Sequence, residues 1–185
     1  MRKDYEIHET LQDIWCIRYR QRKTCAYLLK TAPGAILIDS GPDEDAAGIM
    51  TALQTARVGL SSIRALVITH WHSNQTAGIH TLINRSKCPL FYAKVHESYI
   101  LSRSQGRNCT NNVKEPPAVT RNISSGMEIS SKLTVVQTPD HANDRVILIS
   151  SATNALFADD LSMLNKQLSP SWILPRTGTP FQSGG

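Results

Sequence analysis

At 185 residues the chain has the length of one ordinary domain, long enough to bury a core without help from disulfides or a structural metal. With 41% hydrophobic and 19% charged residues, 10 Gly and 9 Pro, it reads as globular, and disorder, collagen and coiled coil are excluded. The net charge of +5 admits an anionic partner without requiring one. No apolar stretch follows Met1, and no apolar run nears the ~18 residues of a membrane span, so the expectation is an intracellular chain, cytoplasmic or organellar, neither secreted nor membrane-bound. Cys16, Cys25, Cys88 and Cys109 are scattered with no C-x-x-C pair, which predicts buried or idle reduced thiols.

In chain order, residues 13–20 and 25–30 read as strands, and His8 falls in an N-terminal arm ahead of them. The turn at Pro33-Gly34 feeds a third strand at 35–39, a short apolar run of the buried kind. Pro42 with Asp43, Glu44 and Asp45 has the composition of a helix start, predicting a helix that carries Ile49, Met50, Leu53 and Ala56 inward and stops near Gly59. A buried strand at 63–69 runs into His70-Trp71-His72. A helix at 76–85, a short strand at 89–93 and a helix at 95–101 follow. Residues 103–122 are polar, contain Pro116-Pro117 and read as a long loop or flap. Strands at 133–138, 145–150 and 155–158 close the readable part. This alternation predicts an α/β layered domain over residues 1–164, with a poorly ordered tail at 165–185.

The chemistry concentrates at strand ends. His70 and His72 follow the 63–69 strand one residue apart, and they suit a borderline-soft ion such as Zn²⁺ if the backbone breaks there. Alone, such a pair is a weak signal. A third histidine, in Thr138-Pro139-Asp140-His141, follows another apolar strand, and Asp159-Asp160 follows the next. Three such clusters in one short domain predict a shared metal site. The other polar features read more plainly: His80 and His96 as ordinary surface residues on helices, Arg18, Arg20, Arg22 and Lys23 as a solvated hairpin, and Trp71 as a wall of the site or a core residue. There is no phosphate-cradling glycine loop and no serine elbow.

With these residues in view, the chain over roughly 12–164 resembles the metallo-β-lactamase superfamily. That family's signature is T-H-x-H-x-D-H-x-G-G, preceded by a strand ending in Asp-x-Gly and followed by T-P-G-H and F-x-G-D. Its counterparts here are Ile38-Asp39-Ser40-Gly41, the segment 69–78, Thr138-Pro139-Asp140-His141 and Phe157-Ala158-Asp159-Asp160. The T-H-W-H form is most similar to the glyoxalase-II-like branch, which includes lactamase-like endoribonucleases. The resemblance implies an αββα sandwich with a metal site at one edge of its two sheets. It implies that His70, His72 and His141 hold the first metal, that Asp160 matches the carboxylate that bridges two metals (with one ion, a ligand or general base), and that Asp39 supports the site from beneath.

The departures from the pattern are as informative. Asn74 stands where the family has aspartate and Gln75 where it has a histidine. Both positions belong to the second metal, and neutral amide oxygens suit a dinuclear zinc centre poorly. Asp140 and Asp159 replace glycines. No histidine follows Asp160 to match the family's last one, so the sequence reads as a C-terminally shortened sandwich, with an uncovered sheet that favours self-association. The expectation is at most one Zn²⁺ ion and hydrolysis of an ester, thioester, lactam or phosphodiester. A non-catalytic binding module on the same fold is the second reading. An RNA-binding or RNA-cleaving relative is the third, for which binding would weaken steeply with salt.

Overall fold

β-Branched and aromatic residues fill much of the first forty positions and build a meander: β1 (Tyr5–Leu11), β2 (Ile14–Tyr19), β3 (Thr24–Thr31) and β4 (Gly34–Ile38), each antiparallel to the last. The computed structural model that shows this describes residues 4–70, 73–93, 120–130, 133–137 and 146–158. The sheet then continues in parallel through β5 (Ile63–Val67), β6 (Leu90–Ala93) and β7 (Thr120–Ile123), giving seven strands in chain order. Parallel neighbours need crossovers. The first is α1 (Ala47–Thr55); the second contains α2 (Ser73–Thr76) and α3 (Ile79–Ser86). A second, antiparallel sheet is made of β8 (Glu128–Ser130), β9 (Leu133–Gln137), β10 (Val146–Ser150) and β11 (Ala155–Phe157), in the order β11-β10-β9-β8.

The alternation along the strands sorts the apolar side chains into two cores. Ile17, Tyr19, Leu28 and Leu37 face the helices and pack with Ile49, Leu53, Ile79 and Leu82. Their sequence neighbours Cys16, Tyr27, Ile36 and Ile38 face the second sheet and meet Leu133, Val135, Leu148 and Phe157. β4 is therefore buried on both faces, which is why residues 35–38 form an unbroken apolar run. β9, β10 and β11 bury one face only and alternate accordingly. The rings of Tyr27 and Phe157, edge to face with centroids 5.3 Å apart, join β3 to β11 across the layer. This is an α/β sandwich with two facing sheets and helices against the larger one.

Four sequence expectations need correction. The N-terminal arm is β1, an edge strand: Tyr5 and Ile7 pack against the helix-side core, while His8, Glu9 and Thr10 are exposed and hide the strand pattern. The first helix starts at Ala47 and not in the 40–45 stretch, because Asp39, Gly41 and Ala46 have φ of 60°, 74° and 54°, left-handed values that no right-handed helix accepts. The helix expected over 76–85 is α3, which starts three residues later, at Ile79, and is preceded by the separate four-residue α2 ending at Thr76. Within 103–122 read as loop, residues 120–122 belong to β7, whose polar Thr120-Arg121-Asn122 gives no strand signal at an edge of the sheet. The helix expected at 95–101, the side chain of Trp71 and the tail at 165–185 lie outside the described residues.

The cysteine reading holds for three of the four: Cys16, Cys25 and Cys88 are buried, with no disulfide. A hydrogen bond with the Cys25 thiol, with burial adding to it, pushes the Cys16 thiol up, so it stays protonated and unreactive. Among the described residues no helix is long and apolar enough to cross a membrane.

Candidate metal centre at the strand ends

The strands that carry the motifs all end on one side of the sandwich. β4 runs out at Ile38 into Asp39, and β5 runs out at Val67 into Ile68, Thr69 and His70. The two ends are bonded: Asp39 N–H donates to the Val67 carbonyl at 2.8 Å. The second sheet joins them there, for Val146 N–H, at the start of β10, donates to the Thr69 carbonyl at 3.0 Å. Gln137, the last residue of β9, pairs with Val146, the first of β10, so β9 ends and β10 begins at this end. β11 also ends here, with Phe157 opposite Leu148. The carboxyl ends of parallel strands are the usual place for a site in sheets of this kind.

Asp39 is almost completely buried, 1% exposed, and its carboxylate takes two hydrogen bonds from Thr69. Thr69 donates its N–H to Oδ1 at 2.9 Å and its hydroxyl to Oδ2 at 2.7 Å. That second bond has a consequence one residue on. His70 Nδ1 lies 3.3 Å from Thr69 Oγ1. The threonine's single proton is committed to the carboxylate, so Oγ1 faces the imidazole as an acceptor and Nδ1 carries the hydrogen. In the neutral ring the lone pair is then on Nε2, the form an imidazole needs to ligate a metal. Asp39 thus acts on His70 through Thr69, which the sequence does not single out beyond its place in the motif.

Ser40 does for the far side of the motif what Asp39 does for the near side. It is fully buried. Its N–H and its hydroxyl both donate to the Gln75 carbonyl, at 2.7 and 2.8 Å, and its Oγ accepts Gly78 N–H at 3.1 Å. Gly41 pairs with Thr76, and Ala77 N–H donates to the Gly41 carbonyl at 3.2 Å. The approach is close enough that a Cβ on Gly78 would stand 2.8 Å from the Ser40 carbonyl oxygen. Residues 39–41 therefore clamp the histidine segment before and after.

The positions expected to serve a second metal are differently placed. Asn74 is half-buried on α2. Gln75 is fully buried, and its amide Nε2 donates to Thr24 Oγ1 at the start of β3, with Oε1 buried and lacking a hydrogen-bond partner among the described residues. Both side chains are neutral, and a zinc ion bound by them would gain neither an anion nor an imidazole. A second zinc does not fit this donor pair. One zinc suits an imidazole whose tautomer is set at Nδ1 by a neighbouring hydroxyl, as that of His70 is by Thr69.

Among the described residues no three His, Cys, Asp or Glu side chains gather in one place. His72, His141, Asp160, Asp140 and Asp159 lie outside the described residues. His80, expected at the surface, is half-buried on α3, with Nε2 buried and unbonded among the described residues. Near the clamp, burial raises the Asp43 carboxyl above its ordinary range, helped by Asp45 and Asp4 and opposed by Arg22. The hairpin residues Arg20, Arg22 and Lys23 are exposed, and Arg20 pairs with Glu6. A cavity of about 870 Å³ opens at the opposite end of the sandwich, beside Leu29, Ile36, Arg64, Phe91 and Leu133, and takes no part in this site.

Comparison with known proteins agrees with this architecture. The family model of the metallo-beta-lactamase superfamily matches residues 20–183. The Caenorhabditis elegans beta-lactamase-like protein 2 homolog is 26% identical over 145 residues, 74% of this chain and 43% of that protein. A HARLDQ-motif mutant of the Cronobacter sakazakii metallo-beta-lactamase superposes with a TM-score of 0.66 at 20% identity, covering 83% of this chain and 64% of that one. The di-zinc class B3 enzyme LRA-12 from an Alaskan soil metagenome gives 0.66 at 14% identity, over 80% of this chain and 58% of that one. The chain spans less than half the length of its curated relative and under two thirds of these structures. A family model running through most of the chain, on a two-sheet sandwich whose strand ends carry the motif, leaves one assignment: the chain belongs to the metallo-beta-lactamase superfamily.

Proposed function

We propose that the protein is a hydrolase that works with one zinc ion, held by His70, His72 and His141, with Asp160 as a further ligand or as general base. The observation that carries the reading is the bonded series from Asp39 through the Thr69 hydroxyl to His70 Nδ1, which supports a ligating Nε2. A zinc ion there, when bound, supplies Lewis acidity and lowers the pKa of water toward ~7. The chain's own contribution is orientation and proton transfer. Thr69 and Asp39 hold the imidazole, Ser40 holds the segment behind it, and the Asp160 carboxylate takes a proton from the attacking water. The substrate is an ester, thioester, lactam or phosphodiester, whose scissile bond is cleaved by addition of that water.

Turnover of p-nitrophenyl acetate, an acyl thioester, nitrocefin or bis(p-nitrophenyl) phosphate by the full chain, with His72→Ala beside it, tests the reading. Slow hydrolysis of at least one substrate, lost in His72→Ala, is expected. Undiminished activity in that variant would contradict it.

The second reading is a binding module that keeps the scaffold without turnover. It is favoured by Gln75, whose amide is bonded to Thr24 on β3. It expects no hydrolysis above background and no full recovery of activity in Asn74→Asp with Gln75→His.

A further inference from the structure

Gln75 ends the six-residue segment that begins at His70, and both its carbonyl and its carboxamide are tied to neighbouring elements. Its carbonyl accepts two hydrogen bonds from Ser40, and its carboxamide reaches across to Thr24 Oγ1, the first residue of β3. Gln75 and Thr24 are both buried, 0% and 2% exposed, so the contact is shielded from water, and such contacts are geometrically demanding. α2 has four residues, too short to hold itself by helix propagation. Its position is set from outside, by Ser40 through the backbone and by Thr24 through the Gln75 side chain.

We infer that Thr24 is a positioning residue for the metal centre: by holding Gln75 it fixes the helix that follows the histidine pair and takes the sixth position of the segment out of the ligand set. The inference rests on the one-zinc reading above. It explains why a neutral side chain stands there. An imidazole would be drawn toward a cation, whereas the carboxamide is long enough to reach β3 and polar enough to be kept there.

The test is titration of the purified full chain with Co²⁺, read by its visible absorption, for the wild type, Thr24→Val, Thr24→Ser, Gln75→Met and the Thr24→Val/Gln75→Met double variant. The wild type is expected to take up one Co²⁺. Thr24→Val should still take up one, with a shifted visible band and about tenfold weaker affinity, the lower end of what removing an orienting partner does. Thr24→Ser should restore both. Gln75→Met, which keeps side-chain length and loses the amide, should reproduce the Thr24→Val spectrum, and the double variant should add nothing to either single change. Spectra and affinities of Thr24→Val and Gln75→Met equal to the wild type would overturn the positioning role and leave the one-metal reading intact. So would additive effects in the double variant. Uptake of two ions by the wild type with one lost in Gln75→Met would make Gln75 a ligand and overturn the inference. A wild type that takes up no Co²⁺ overturns both the inference and the function it rests on.

Discussion

Thr69 has one proton to give, and where it goes decides the chemistry of its neighbour. Bonded to the Asp39 carboxylate, the hydroxyl can only accept from His70, which sets the imidazole tautomer. Thr69→Val should therefore weaken zinc binding ~10–100-fold while leaving the fold intact, measurable by competition with a chromophoric chelator. An affinity equal to the wild type would show that His70 needs no such partner. Asp43 allows a prediction of the opposite kind. Its carboxyl holds a proton more tightly folded than unfolded, mainly because of burial. The resulting stability is present below the ordinary carboxylate value and is lost as pH rises through the raised folded value. Asp43→Asn should thus raise the Tm at about pH 7 and leave it nearly unchanged at about pH 3. At this scale the motif named Asp39 and His70, which the structure places at adjoining strand ends, each bonded to Thr69. It was silent on Thr24, whose part comes from a contact between residues 51 positions apart in the chain.

Elements were legible where both faces are buried. β3, β4 and β5 are short apolar runs, and so is β10, whose burial alternates only because one of its faces is covered. The sequence misleads at the edges and at the strained turns. β1 and β7 are the two outer strands of the large sheet and are rich in polar residues, so their strand character comes from pairing with a neighbour. The stretch after β4 carries proline and acids as a helix start does, yet its left-handed residues make it a clamp on the histidine segment. Gly78 tests that clamp. Its Cβ position lies 2.8 Å from a backbone oxygen and 3.1 Å from Ala46 Cβ, groups that cannot swing aside. Gly78→Ala should cost ~1–3 kcal/mol in urea unfolding, and a smaller cost would mean the segment slides freely over residues 40–43.

At the level of the whole molecule, the two sheets are held together by one apolar layer that also brings the motif-bearing strand ends to one side. Phe157 is the largest wholly buried side chain that the second sheet contributes, and its ring packs on Tyr27. Phe157→Ala should destabilise the chain by ~3–5 kcal/mol and, because β11 leads directly to Asp159 and Asp160, should weaken metal binding as well. Loss of stability with unchanged metal affinity would separate the layer from the site.

Zinc content of the purified, monodisperse chain, by elemental analysis after loosely bound ions are removed, tests the central claim most directly. One zinc per chain, lost in His72→Ala, is the predicted result. Two would show that Asn74, Gln75 or the extra aspartates do serve a second ion, and none in a folded chain would contradict the hydrolase reading and favour the binding module.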